Sequence, residues 1–179
     1  HGDVAEPLAR QALDQATSVL GNDSPVTLLA VHTYASVLRT QRRYADALPY
    51  AQQAYDGRKK VLGELDRETI RSLLGVASTL RNLERTDEAA SCCHIALDCC
   101  TRAFGDDDPL TLQAVNSLSR VYVMAKKYDQ AERLCKRAME GLKLKRGPED
   151  RSTLSAQANY AEIIGKLGQA KESEEMFRQ

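Results

Sequence analysis

The sequence predicts an all-α fold, an α-α superhelix: a right-handed solenoid of antiparallel helix pairs. Three observations carry this. Gly21, Gly63, Gly105 and Gly147 are each 42 residues apart. Thr27, Thr69, Thr111 and Thr153 keep the same spacing, and so do Ser24, Asp66, Asp108 and Asp150. Three registers sharing one period define a repeat. A helical unit of this length cannot bury its apolar side alone and must stack on its neighbours.

Each register has a local cause. Ser24, Asp66, Asp108 and Asp150 are N-cap residues, whose side-chain oxygens accept an orphan N–H at a helix start. Pro25 and Pro109 follow directly, at the first helical position, where a missing N–H costs nothing. The glycines three residues upstream end the preceding helix in the left-handed conformation. A second break falls in each period at Gln41–Tyr44, Leu83–Thr86, Ala125–Tyr128 and Lys166–Gln169, where polar residues interrupt the apolar pattern. The unit is therefore a hairpin. First helices are predicted over about 24–40, 66–82, 108–124 and 150–166, and second helices over about 44–61, 86–103 and 128–145, with a truncated one from about 169. Residues 3–20 match a second helix, because 5–12 align with 47–54 down to Pro7 and Pro49. That makes nine helices, counting the terminal halves.

The chain reads as one domain: a half repeat over 1–20, repeats over about 21–62, 63–104 and 105–146, and a partial repeat over 147–179. Small residues mark close helix crossings: Ala35, Ala77, Ser119 and Ala161 in the first helix, and Ala47, Ala89, Ala131 and Ser173 in the second, where Ala12, Ala54, Ala96 and Ala138 form another set. Val31, Leu73, Val115, Tyr34, Val76, Leu118, Tyr160, Leu38, Leu80, Tyr122 and Ile164 supply the bulk between them. The last hairpin is cut at Gln179, so Ile163, Ile164 and Phe177 are predicted to lack a capping helix, giving fraying or end-to-end self-association.

This pattern resembles the tetratricopeptide repeat, in the small residue of the first helix, the aromatic at the turn (Tyr44, Tyr128) and the two alanines of the second helix. The 42-residue period and the segments LGNDSPVTL and FGDDDPLTL are more specifically similar to the long repeats of kinesin light chains. Similar repeats occur in nephrocystin-type proteins and in some nucleotide-switched receptors. The resemblance implies a non-enzymatic interaction scaffold whose first helices line a concave side. Kinesin light chains carry paired asparagines in most repeats at the place of Asn116–Ser117. Here that place reads His32–Thr33, Leu74–Gly75 and Ala158–Asn159.

Composition narrows the function classes. Lys plus Arg number 25 and Asp plus Glu number 25, which argues against a general nucleic-acid or membrane surface. No apolar run approaches the ~18 residues of a membrane span. Four of the five cysteines crowd into SCCHIALDCC, Ser91–Cys100. By register Cys92 stands where other repeats have Leu8, Tyr50 and Leu134, and Cys93 where they have Ala9, Ala51 and Cys135. Cys99 matches Gln15, Gly57 and Gly141, and Cys100 matches Ala16, Arg58 and Leu142. Cys92 and Cys99 share a helix face about 10.5 Å apart along the axis, too far for one zinc ion with ~2.3 Å bonds to sulfur. The reading is core packing, with no metal and no disulfide, in a reducing, cytoplasmic compartment. His1, His32 and His94 are scattered, no phosphate loop exists, and no nucleophile–base pair stands out, so neither catalysis nor a cofactor is expected. Asp106–Asp108 reads as a turn and helix cap, and Lys143–Arg146 as a helix end complementing the dipole.

The inward positions of the first helices are the candidate site. Arg39, Arg71, Arg81, Asn82, Asn116, Arg120, Asn159 and Lys166 fall there, beside Leu29, His32, Leu74 and Met124. Guanidinium forks suit carboxylates, and asparagine amides both donate to and accept from an extended backbone. The expected partner is a protein or an acidic, extended peptide. Two other roles share the same sequence: a structural subunit of a larger assembly, and the sensor array of a nucleotide-switched receptor.

Overall fold

A computed structural model describes the backbone of residues 2–178 and the side chains of residues 5–168. Eight helices follow one another: α1 (Gly2–Leu20), α2 (Pro25–Thr40), α3 (Tyr44–Leu62), α4 (Arg67–Asn82), α5 (Thr86–Phe104), α6 (Pro109–Met124), α7 (Tyr128–Arg146) and α8 (Arg151–Arg178). Among the described residues there is no strand. The helices form two compact units, His1–Ala103 and Phe104–Gln179. In the first, α1 packs on α2, α2 on α3 and α3 on α4; in the second, α6 packs on α7 and α7 on α8.

The small-residue registers sit where helices cross. Ala47, Ala54, Ala89, Ala96, Ala131 and Ala138 are each 0% exposed. A methyl there lets backbones approach as closely as helix packing allows, and anything larger meets a close-packed wall. Around them, Leu13, Val31, Tyr34 and Leu38 build the core of the first unit. Leu112, Leu142 and Ala156 build one core of the second, and Ala131, Cys135 and Ile163 another. Ile163 is thus buried, unlike the bare residue anticipated at the last repeat, because α7 covers it. Ile164 is 42% exposed as expected, and the side chain of Phe177 lies outside the described residues.

The caps form at three of four places. Asp66 accepts from the Glu68 and Thr69 amides, Asp108 from Leu110 and Asp150 from Ser152. Ser24 has cap backbone geometry but makes no side-chain cap bond. The threonine register is fully buried. Thr27 Oγ1 donates to the Ala16 carbonyl at 3.1 Å and Thr111 Oγ1 to the Gly105 carbonyl at 2.7 Å, which ties a helix start to the chain before it.

The helix ends differ from the sequence expectation. The repeat glycines do take positive φ, but Gly63 and Gly147 pair it with ψ of 165° and 167°. That is the mirror image of extended backbone, accessible essentially to glycine alone, and not the left-handed helical region. The left-handed residues are instead Arg42, Glu84 and Lys126, with φ of 61°, 60° and 57°. They close the first helices: Arg43, Arg85 and Lys127 donate their amides to the Leu38, Leu80 and Tyr122 carbonyls, the six-to-one bond of a Schellman cap.

The fourth turn does not form. Gly168 holds the register of Arg42, Glu84 and Lys126, yet it takes no positive φ, and α8 continues to Arg178. Eight helices therefore replace the nine predicted. Glycine costs only about 1 kcal/mol inside a helix, and no proline intervenes to stop it.

Candidate functional site

The predicted inward residues divide between the two units. In the first, α2 and α4 bring Arg39, His32, Gly75 and Arg71 together. Arg39 is half-buried. Its Nη1 donates to the Gly75 carbonyl at 3.4 Å and its Nη2 to Ser36 Oγ at 3.3 Å. A Cβ at Gly75 would lie at ordinary contact distance from both, 3.6 Å from Arg39 Nη1 and 3.8 Å from His32 Cε1. Burial removes water from His32, and the nearby Arg58 and Arg39 charges oppose a second positive group. Together they pull its pKa down to about 4. His32 is neutral at pH 7.

Arg71 is exposed and forms a 2.6 Å ion pair with Glu68, one helical turn before it. The other oxygen of Glu68 lies 3.5 Å from the Arg58 guanidinium. Arg81 is half-buried on α4, and Asn82 donates to the Ser78 carbonyl at 2.7 Å.

In the second unit, the asparagines turn inward and not toward solvent. Asn116 and Asn159 are 8% and 7% exposed. Asn159 Nδ2 donates to Asn116 Oδ1 at 2.8 Å, to Ser119 Oγ at 2.9 Å and to Cys135 Sγ at 3.2 Å. The Cys135 thiol in turn faces Asn116 Oδ1 and the Ala156 carbonyl. Burial raises the Cys135 pKa against the pull of the Ser119 and Asn159 hydrogen bonds. Arg120 is half-buried near this network, and its charge acts on the Cys135 thiol. Lys166 is half-buried on α8.

The other cysteines behave as packing residues. Cys93, Cys99 and Cys100 are buried and Cys92 is partly exposed. Burial pushes the Cys93 thiol up to about 12 and raises Cys92 and Cys99 as well. Among the described residues no group of His, Cys, Asp and Glu is placed to hold a metal ion, and no helix is long and apolar enough to cross a membrane.

One functional group escaped the sequence reading. Arg58 is 3% exposed, donating to Ser72 Oγ at 2.8 Å and to the Glu68 carbonyl at 3.1 Å. Its register holds Ala16, Cys100 and Leu142, which says little by itself. The signal is Ser72, which stands where the other repeats have Ala30, Ala114 and Ala156. A serine among alanines at a crossing announces a polar partner.

Helical hairpins recurring every 42 residues, with a small residue at each crossing and polar residues on the first helices, define an α-solenoid of the interaction-repeat class. The family model for the tetratricopeptide repeat matches residues 2–60 and 68–144. The chain belongs to the tetratricopeptide repeat family. Its fold is shared with a kinesin light chain-like protein of nearly identical repeats from Podosopora anserina. A singly substituted variant of that protein aligns at 18% identity and a TM-score of 0.74, over 99% of this chain and 84% of that one. The same protein without the substitution gives the same identity and coverage with a TM-score of 0.73. BtubC (BKLC) from P. vanneervenii aligns at 19% identity and a TM-score of 0.75, over 97% of this chain and 69% of that one. No curated protein matches the sequence.

Proposed function

We infer that the chain is a non-enzymatic protein-interaction scaffold, an adaptor that holds an extended acidic segment of a partner against its first helices. One observation carries this. Around His32 the first unit gathers Arg39 and Arg71 against the single carboxylate of Glu68, with Arg58 buried against Ser72. A protein with balanced overall charge has concentrated positive charge on this face. Family membership supports the scaffold role, and the kinesin light chain-like neighbours support the adaptor. Four buried thiols and one partly exposed thiol fit a reducing, cytoplasmic setting.

Arg71 is exposed and Arg39, Arg81 and Arg120 are half-buried, so a peptide contact at each stays near water and contributes about 0.2–1 kcal/mol. Affinity therefore rests on several contacts together, aided by Leu29, Leu74 and Met124, and falls as salt rises. Fluorescence titration of acidic and basic peptides at low and high salt tests the reading. Acidic peptides are expected to bind better at low salt, and an Arg81→Glu, Arg120→Glu double variant to lose them. Equal binding of both peptide classes, or an unaffected double variant, overturns it.

A second reading, a structural subunit with a fixed neighbour, is favoured by the asparagines. Asn82 and Asn159 spend their amide donors inside the fold, and the Asn116 amide oxygen accepts there. Under this reading the chain associates with a permanent partner or end to end with itself through α8, and light scattering is expected to show assemblies that grow with concentration.

A further inference from the structure

The 42-residue period sets Val76 in the place of Tyr34, Cys92 in the place of Tyr50 and Gln52 in the place of Arg10. In the earlier set the chain fills the space itself. Tyr50 meets Tyr34 edge-on, with ring centroids 4.8 Å apart and planes at 88°. The Arg10 guanidinium lies over the Tyr34 ring at 5.7 Å, and its Nη1 donates to the Tyr50 hydroxyl at 3.2 Å. One period later two rings and a long cation are replaced by an isopropyl group, a thiol and an amide. The space is open: a pocket of about 560 Å³ lined by Leu48, Pro49, Val76, Leu80 and Cys92, with Gln52 as a polar member. That volume falls within the usual range for a ligand site, about 300–1,000 Å³.

The lining describes its occupant. The walls are mostly apolar, so the bulk of the occupant is apolar. The charged residues beside them, Arg85 and Glu88, close on each other through two hydrogen bonds of 2.6 and 2.7 Å, so the pocket offers no net charge and the occupant is neutral. Gln52 Nε2 is held by the Asp56 carboxylate at 3.0 and 3.1 Å, which leaves its amide oxygen to accept a hydrogen bond, beside the Ser91 hydroxyl in the same wall. The chain fills the same place one repeat earlier with a phenol, which is an apolar body with one hydroxyl donor.

We propose that the pocket between α3, α4 and α5 receives a tyrosine side chain presented by a partner polypeptide, with its ring against Leu48, Val76 and Leu80, its edge at Cys92 and its hydroxyl donating to Gln52. None of Arg39, Arg71, Arg81 and Asn82 lines this pocket, so it is a second contact point beyond the acidic-segment face. Cys92, the one partly exposed thiol of the five, stands in its wall as a reporter of occupancy.

The test is a titration of the full chain, followed by methyl NMR of Leu48, Val76 and Leu80 and by the rate of Cys92 alkylation with N-ethylmaleimide. The probes are N-acetyltyrosinamide, its phenylalanine and leucine counterparts, a five-residue tyrosine peptide and p-cresol. The tyrosine amide is expected to move the three methyls and slow alkylation. It should bind about tenfold tighter than the phenylalanine amide, the size of one hydroxyl hydrogen bond, while the leucine amide leaves the methyls unmoved. Gln52→Leu should erase the tyrosine preference. Cys92→Tyr, which rebuilds the filled arrangement, should abolish binding. If that variant does not fold, Cys92→Leu, after Leu8 and Leu134, should do the same. Unmoved methyls, equal binding of the tyrosine and phenylalanine amides, or binding retained by the folded Cys92 variants overturns the proposal. So does p-cresol binding as tightly as the tyrosine peptide, which would make the ligand a free phenol.

Discussion

The joint between a second helix and the next first helix occurs in both units, and the two units build it from opposite chemistry. In the second unit Leu142 and Ala156 meet within an apolar cluster with Leu112, each 1% exposed or less. In the first unit the same two places hold Arg58 and Ser72, joined by a 2.8 Å hydrogen bond and equally buried. The apolar joint draws on removal of surface from water and is indifferent to pH and salt. The arginine joint must recover the cost of taking a cation out of water, through the Ser72 hydroxyl, the Glu68 carbonyl and the half-exposed Glu68 carboxylate. Burial lowers the Arg58 pKa, but a guanidinium stays charged in a protein. One fold position can therefore be a permanent contact or a conditional one.

The largest effect is expected at the apolar joint. Leu142→Ala should cost about 2–5 kcal/mol in a denaturant titration, because the removed side chain leaves a cavity under Leu112. A loss below that range would mean that α7 and α8 collapse onto each other freely. The next test converts one joint into the other. Arg58→Leu with Ser72→Ala should leave the first unit unchanged or stabilise it by up to about 4 kcal/mol, as buried ion pairs replaced by apolar residues often do. A destabilised double variant would show that the polar joint holds the helices better than a hydrocarbon would.

The third test uses pH. His32 lies in the field of Arg58, and its folded pKa of about 4 is below its ordinary value of 6.5. The unfolded chain therefore binds the proton more readily, so the stability from neutral His32 is full above pH 6.5 and is lost as pH falls toward 4. The shift corresponds to about 3 kcal/mol at most, reduced by the partial exposure of the ring. Replacing His32→Gln should flatten the wild-type profile between pH 6.5 and 5, and identical profiles would remove His32 from the joint. The smallest effect belongs to Glu68→Gln, about 1 kcal/mol or less for a half-exposed carboxylate. A larger loss would mean that the carboxylate, not the neutral acceptors, holds Arg58.

What could be read in the sequence was whatever depends on a few neighbouring residues. Caps, proline starts and the repeat glycines are local, and the predicted helices 44–61, 86–103 and 128–145 each fall within one residue of α3, α5 and α7 at either end. The glycines were placed correctly and their ψ was not, because positive φ serves two backbone regions and only the bonds around Arg42, Glu84 and Lys126 show which helix end uses which. The fourth turn carried the best turn residue of all, Gly168, and did not form, because a glycine permits a turn without imposing one and α8 runs through it. The candidate site was the least legible part. Asn116 and Asn159 looked like free amides at inward places. They are 43 residues apart, one off the period, and this offset lets one reach the other. Arg58 hid because a long cation at an apolar register reads as a surface residue until its partner Ser72 is noticed.

The paired character of the Arg58 joint bears on how such an array changes length by recombination. A deletion of residues 63–104 removes one whole period and leaves every cap, glycine and crossing alanine in frame. It also sets Arg58 against Ala114 in place of Ser72, and puts Leu110 where Glu68 was. The guanidinium would then be buried without its hydroxyl and without its carboxylate. Neighbouring units that look interchangeable by spacing are thus keyed to one another, and the gene tolerates the gain or loss of a unit only where both halves of a joint travel together.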